Sequence, residues 1–390
     1  MAKPSGPACN LDCNYCFYLE KEALYDRPGR RRMSPQVLEA YVRGTIAATP
    51  AGQPVHFTWQ GGEPTLLGLP FYRHALALQA QYGAGRQIEN SFQTNGTLID
   101  EDWAAFLAEN GFLVGLSLDG PAEVHDRYRR FRSGAPSHQL VMAALERLQR
   151  HGVQYNVLAC VDAHSVRQPL EVYRFLRAHG VEFIQFTPVV ERLAGADRAA
   201  AGFDLSGPEQ AGDAPVAPFS VPSEGWGRFL ATVFDEWRRH DIGRVFVMNF
   251  EWALAGVVGA PGVVCVHQPT CGRALVVEHD GDVFSCDHFV YPEHKLGNLT
   301  RDNLAAMVDS TRQQAFGAAK HDSLPGACRR CPHLSLCWGG CPKQRFLQTA
   351  DGEPGLNYLC AGYKHWFAHA TPWLEAIAGK LLRGEALAPF

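Results

Sequence analysis

Cys9, Cys13 and Cys16 stand in the run Cys-Asn-Leu-Asp-Cys-Asn-Tyr-Cys, a Cys-x3-Cys-x2-Cys spacing that offers three thiolates. Soft thiolates select zinc, copper(I) or iron–sulfur clusters. Structural zinc sites and ordinary four-iron cubes take four protein ligands. A cube held by three would keep one iron open to a substrate or cofactor. Eight further cysteines, Cys265, Cys271, Cys286, Cys328, Cys331, Cys337, Cys341 and Cys360, crowd the C-terminal third. Eight thiolates complete two four-ligand sites, although spacing alone does not say which cysteines share one. An isolated Cys-x2-Cys pair such as Cys328 and Cys331 suits zinc as well as iron. The twelfth cysteine, Cys160, lies between apolar residues and reads as a buried core thiol. This clustered spacing predicts metal binding, not a disulfide framework.

Other residues of suitable chemistry sit in short polar loops. Gly61-Gly62 lets backbone approach a ligand without an intervening Cβ, and Glu63 adds a carboxylate. Ser117 offers a hydroxyl at a strand end, and Arg129 can fork onto a carboxylate. Gln93, Thr94 and Asn95 form a further polar group.

What must position these loops is an alternation of strands and helices over the first ~190 residues, the rhythm of a helix-covered parallel sheet. Strands are expected at 55–59, 88–93, 112–118, 153–161 and 182–187, with helices over 70–82, from about Asp100, over 140–151 and over 170–179. Right-handed crossovers wind such a pattern into an α/β barrel, here a partial (β/α)6 barrel, with each polar loop on the rim that follows a strand. Only eight residues precede Cys9, so the first strand is expected to be clipped. From 193 to 223, Ala, Gly, Pro and Asp replace periodic apolar residues, which reads as a linker or mobile surface loop. The division expected is a core over 1–225, a connecting helix over 226–249, a cysteine-rich domain over 250–375 and a tail over 376–390. In that domain, Leu275–Glu278 and Val283–Ser285 should pair as a hairpin around Asp280-Gly281.

At 390 residues and 46% hydrophobic content the chain can bury a large core. A net charge of −4 makes no case for nucleic acid or an anionic membrane. No apolar run approaches the ~18 residues of a membrane span, and no apolar leader precedes the cysteine loop. A cytoplasmic enzyme is the expectation.

With Tyr15 before its last cysteine and Phe17-Tyr18 after it, the N-terminal loop resembles the signature of radical S-adenosylmethionine (SAM) enzymes. The C-terminal cysteines resemble a SPASM domain. Three stretches are similar to those of anaerobic sulfatase-maturating enzymes: Asn90–Leu98, Val114–Pro121 and Cys286–Asn298. The resemblance runs from about Lys3 to Trp373. It implies a 4Fe–4S cluster on Cys9, Cys13 and Cys16 whose open iron chelates SAM, with Tyr15, Gly62, Glu63, Ser117, Arg129 and Val190 around that cofactor. It implies two fully ligated auxiliary 4Fe–4S clusters, one on Cys265, Cys271, Cys286 and Cys341, the other on Cys328, Cys331, Cys337 and Cys360. Asp287 is the implied proton acceptor, with His288 a weaker candidate. The implied reaction oxidises a Cys or Ser in a sulfatase Cys/Ser-x-Pro-x-Arg motif to Cα-formylglycine. Its implied partners are a nascent or unfolded sulfatase and a flavodoxin or ferredoxin, the chain acting as a monomer. Related SPASM enzymes that cross-link or epimerise peptides, or act in pyrroloquinoline quinone assembly, are the rival reading. A zinc or electron-transfer protein is the non-catalytic one.

Overall fold

A computed structural model describes residues 1–25, 31–209, 214–260 and 264–387. Along the chain the first elements are β1 (Ala2–Lys3), α1 (Pro35–Ala48), β2 (Val55–Trp59), α2 (Leu69–Tyr82), β3 (Ile88–Thr94), α3 (Glu101–Glu109) and β4 (Leu113–Ser117). They continue with α4 (Ala122–His125), α5 (His138–Arg150), β5 (Gln154–Val161), α6 (Pro169–Ala178) and β6 (Phe183–Pro188). Capping explains sharp starts: Ser34 Oγ accepts from Val37 N at 3.2 Å, with Pro35 opening α1, and Asp100 accepts from Trp103 N at 2.9 Å ahead of α3. The helices turn apolar faces onto the sheet, and Phe57, Trp59, Tyr72, Phe92 and Trp103 form one aromatic cluster beneath it.

Strands β1 to β6 lie side by side in chain order, all parallel. Two features depart from the sequence expectation. After α7 (Ala196–Ala200) and α8 (Ser223–His240), β7 (Phe246–Val247) adds a seventh parallel strand beside β6 before α9 (Met248–Val257). A two-residue strand carries too little alternation to be read, so the stretch 226–249 is more than a helix. The first strand is also two residues long, yet it is sandwiched. Ala2 pairs with Trp59 on one side and with Val277 of β8 (Val276–Glu278) on the other. The hairpin of β8 with β9 (Asp282–Phe284), followed by β10 (Lys295–Asn298), thereby joins the core in one ten-stranded sheet.

The segment expected as a linker is folded where it is described. Residues 193–209 and 214–222 carry α7 and bridges between Leu193 and Leu205 and between Arg192 and Val216. Phe203, Leu205, Ala217 and Val221 are buried. Its anchors are distant in sequence: Glu20 accepts from Leu205 N at 2.9 Å, and Arg198, packed on Phe203 of the same segment, lies over Tyr291 at 5.4 Å. Residues 210–213 of that segment, and 388–390 of the expected tail, lie outside the described residues.

The C-terminal helix Cys360–Leu382 lies against α8 through two glycines. A Cβ at Gly362 would meet Ser223 O at 2.0 Å, and one at Gly227 would meet Gly362 O at 2.4 Å. Ala for Gly inside a helix ordinarily gains ~1 kcal/mol. Here the facing backbone has no room, and overpacking costs about 1–3 kcal/mol or more. Gly362→Ala is therefore expected to lower the thermal midpoint and loosen the helix that carries Cys360. A midpoint equal to or above wild type would contradict that close contact.

Candidate metal centre and its cavity

The three-thiol loop follows β1 and is braced by the loops after β2 and β3. Gly62 N donates to Gly6 O and Glu63 N to Ala8 O, both at 2.8 Å. Gly62 is required because its Cβ would sit 2.1 Å from Ala8 O. The Glu63 carboxylate is fully buried and accepts from Thr65 N at 3.0 Å, Thr94 Oγ1 at 2.8 Å and Asn95 N at 2.8 Å. Asn95 Nδ2 in turn donates to Asn10 Oδ1 at 2.9 Å and points at Cys9 Sγ at 3.7 Å. The polar rim residues thus hold the cysteine loop in place.

Burial pushes the Cys9 thiol up to about 12 and raises Cys13 and Cys16 as well. Thiols so placed become thiolates only beside a strong positive charge, which a metal centre supplies. The eight C-terminal cysteines gather into two groups of four. Cys328, Cys331, Cys337 and Cys360 line one small cavity, closed by apolar side chains including Leu334 and Phe367. Cys271 lies in the field of Cys265 and Cys341, and Cys286 in that of Cys341 and Cys265. Cys341 therefore belongs with the more distant cysteines in sequence, not with its neighbour Cys337. All twelve cysteines are unpaired. Among the described residues no three Cys, His, Asp or Glu side chains converge as one bound ion requires.

A central cavity of about 650 Å³ joins these parts. Cys16, Tyr15, Arg129 and Val190 lie on its wall, and so do Cys265 and Cys341 of the first quartet. An incomplete thiol site and a complete one thus open onto one chamber. The described family models match accordingly: the Radical SAM superfamily over residues 4–176 and the iron–sulfur cluster-binding SPASM domain over 265–332. A serine-type anaerobic sulfatase-maturating enzyme of Bacteroides thetaiotaomicron is 44% identical over 99% of this chain and 92% of its own. A cysteine-type one of Clostridium perfringens is 32% identical over 98% of each chain. A solved structure described as native anSMEcpe with bound AdoMet and Kp18Cys peptide superposes with a TM-score of 0.84 at 32% identity, over 97% of this chain and 98% of that one. This chain belongs to the anaerobic sulfatase-maturating enzymes. Its fold is the radical SAM core with a SPASM domain, and the family's cofactors are 4Fe–4S clusters and SAM.

Within this member of the family, the expected SAM residues divide. Tyr15, Arg129 and Val190 line the chamber, whereas Gly62, Glu63 and Ser117 stand behind its wall. Ser117 Oγ accepts from Gln93 Nε2 at 3.1 Å, and Gln93 itself faces the chamber. Arg129 does make a forked carboxylate contact, but with a residue the sequence reading passed over: Nε reaches Asp119 Oδ2 at 2.7 Å and Nη2 reaches Oδ1 at 3.0 Å. Tyr15 Oη and Cys160 N also donate to Asp119, each at 2.8 Å. Burial works against the Asp119 charge, yet Arg129 holds the carboxyl below the usual range. The signal in the sequence was there, since Asp119-Gly120-Pro121 ends a strand on the rim. Cys160 faces the chamber and lies 3.4 Å from Arg129 Nη2, and burial pushes its thiol up to about 12.

Asp287 is not on the chamber wall, although its neighbour His288 is. Its carboxylate pairs with Lys3 Nζ at 2.5 Å and keeps 23% side-chain exposure. Lys3 is buried over the Tyr18 ring at 4.1 Å and also donates to Gln60 Oε1 at 3.2 Å. Burial, the largest single influence, would raise the Asp287 carboxyl, but Lys3 with His288 and Lys343 together hold the group below the ordinary carboxylate range. Two more charged residues missed by the sequence reading, Glu191 and Lys343, form an ion pair on the chamber wall, with Lys343 over the Phe17 ring at 4.5 Å.

Proposed function

We propose that this chain oxidises a Cys or Ser in the Cys/Ser-x-Pro-x-Arg motif of a sulfatase to Cα-formylglycine. The observation that carries the reading is the single chamber bordered by Cys16 on one side and by Cys265 and Cys341 on the other. A hydrogen atom and an electron can then leave the same substrate carbon in two directions.

In this reading Cys9, Cys13 and Cys16 hold the SAM-binding cluster. Cys265, Cys271, Cys286 and Cys341 hold a first auxiliary cluster, and Cys328, Cys331, Cys337 and Cys360 a second. When bound, these three clusters with SAM supply one-electron chemistry and a 5′-deoxyadenosyl radical that takes one hydrogen from the substrate Cβ. Tyr15, Arg129 and Val190 bear on SAM directly, with Gly62, Glu63 and Ser117 completing its pocket. From its place beside the chamber-lining His288, Asp287 accepts the thiol or hydroxyl proton as the second electron departs. Lys3 keeps that carboxylate charged and fixed. The target is a nascent or unfolded sulfatase segment threaded into the chamber. A flavodoxin or ferredoxin serves as donor, and the enzyme acts as a cytoplasmic monomer. No helix among the described residues is long and apolar enough to cross a membrane.

The test is direct. Anaerobically reconstituted enzyme, reductant and SAM are incubated with Cys- and Ser-containing target peptides and the products are weighed. The Ser peptide should lose two hydrogens, and the Cys peptide should lose two hydrogens and exchange its sulfur for oxygen, with 5′-deoxyadenosine formed alongside. Deoxyadenosine without aldehyde from either peptide would defeat the reading.

A further inference from the structure

Cys337 of one quartet and Cys341 of the other are joined by Trp338-Gly339-Gly340. These three residues all hold left-handed backbone, with φ of +46°, +68° and +62°. Trp338 is the one non-glycine residue at positive φ among those described. An L residue stays there only when its surroundings over-determine it. Two cations do so. Arg345 donates Nε to Gly339 O at 2.9 Å, Nη2 to Trp338 O at 2.6 Å and to Gly340 O at 3.4 Å, and Nη1 to Lys320 O at 2.6 Å. Lys320, 1% exposed on the helix Thr311–Asp322, donates Nζ to Val266 O at 3.2 Å, Trp338 O at 3.3 Å and Gln268 O. An ammonium has three donors and no acceptor, so three carbonyls match its charged form. Val266 and Gln268 belong to the loop between Cys265 and Cys271, which places Lys320 at the first quartet. Arg345 stands at both, for its guanidinium grips the whole link between them. Burial lowers the pKa of both, Lys320 to about 8 with Arg345 adding to the effect; the thiols that work against this are Cys271, Cys265 and Cys341 for Lys320, and Cys328, Cys337, Cys341 and Cys271 for Arg345.

We propose that Lys320 and Arg345 are fixed counter-charges that set the potentials of the two auxiliary clusters, Lys320 acting on the first alone and Arg345 on both. The inference rests on the reading above that each quartet holds a 4Fe–4S cluster. Such a four-thiolate centre is anionic and gains one more negative charge when it takes one electron. A fixed cation in a low-dielectric interior favours the reduced form and raises the potential. Lys320 thereby makes the first cluster, the one beside Asp287, a better acceptor for the electron leaving the substrate. Both act through their charge, as positioning residues that do not touch substrate.

The experiment is an EPR-monitored redox titration of the full chain carrying Cys9, Cys13 and Cys16 all as Ala, so that only the auxiliary clusters contribute. The parent should hold ~8 irons and show two one-electron waves. Fewer irons or a single wave would refute the two-cluster reading itself, before any further variant is made. Lys320→Met should lower one midpoint by a tenfold change in its equilibrium, about 59 mV for one electron, and leave the other in place. Lys320→Arg should restore it, and Arg345→Gln should lower both. Unmoved midpoints in iron-loaded Lys320→Met and Arg345→Gln overturn the proposal. Loss of iron from the charge-retaining Lys320→Arg also overturns it, because the side chain then serves packing and not charge.

Discussion

The enzyme with Cys9, Cys13 and Cys16 all replaced by Ala is expected to form no 5′-deoxyadenosine, yet to retain most of its auxiliary iron. The three thiols share one loop and lie apart from both quartets, so their loss removes one centre and leaves the others' ligands untouched. The loop itself should persist. Its backbone is pinned to Gly62 and Glu63, and Asn95 holds Asn10 independently of the sulfurs. Iron analysis separates the effects: about two-thirds of the wild-type iron is expected, since two of three four-iron sites survive. Normal deoxyadenosine from this variant would remove the basis for radical chemistry at the N-terminal loop.

Asp287→Asn is expected to keep its clusters and still cleave SAM, while formylglycine falls by the ~10²–10⁴ typical of a lost general base. The Lys3 ion pair complicates this variant and also makes it more informative. Removing one partner of a buried pair leaves the other uncompensated, at a cost of about 3–5 kcal/mol when fully buried. Asp287 keeps some exposure, so the cost here should be smaller. The double variant Lys3→Met/Asp287→Asn separates the two roles, because it should recover stability without recovering product. The folded pKa of Asp287 is depressed, so the pair's stabilisation is full at neutral pH. It is lost only as pH falls through that lowered value. Thermal melts should therefore show the variant's deficit at neutral pH and a shrinking one in acid. Near-wild-type product from Asp287→Asn, with clusters confirmed by iron content, would move the base to another residue or to water.

The parts legible in the sequence were those encoded by short-range spacing. The Cys-x3-Cys-x2-Cys loop, the strand–helix alternation from Val55 to Thr187 and the hairpin around Asp280-Gly281 depend on residues a few positions apart. Periods of two and 3.6 carry that information directly. The structure keeps those strands to within about two residues at their ends. Two-residue strands carry no period, so neither the sandwiching of β1 between β2 and β8 nor the addition of β7 could be read. The same limit hid the fold of 193–209 and 214–222, whose anchors Glu20 and Tyr291 come from far along the chain.

Charges followed the same division. Arg129 could be marked as a fork in search of a carboxylate, but Asp119 became its partner only when the loops after β4 and α4 met. Lys3 and Asp287 are brought together because β1 pairs with β8, a register that no local pattern specifies. Spacing likewise left Cys341 free to join either quartet. The left-handed turn at Trp338, Gly339 and Gly340 carries the chain across from one to the other. The sequence by itself determined which chemical groups are available and on which local elements they sit. Which groups face each other was decided by sheet register and loop closure, because those contacts, whether ten positions apart as in Arg129–Asp119 or hundreds as in Lys3–Asp287, are selected by the packing of the whole chain.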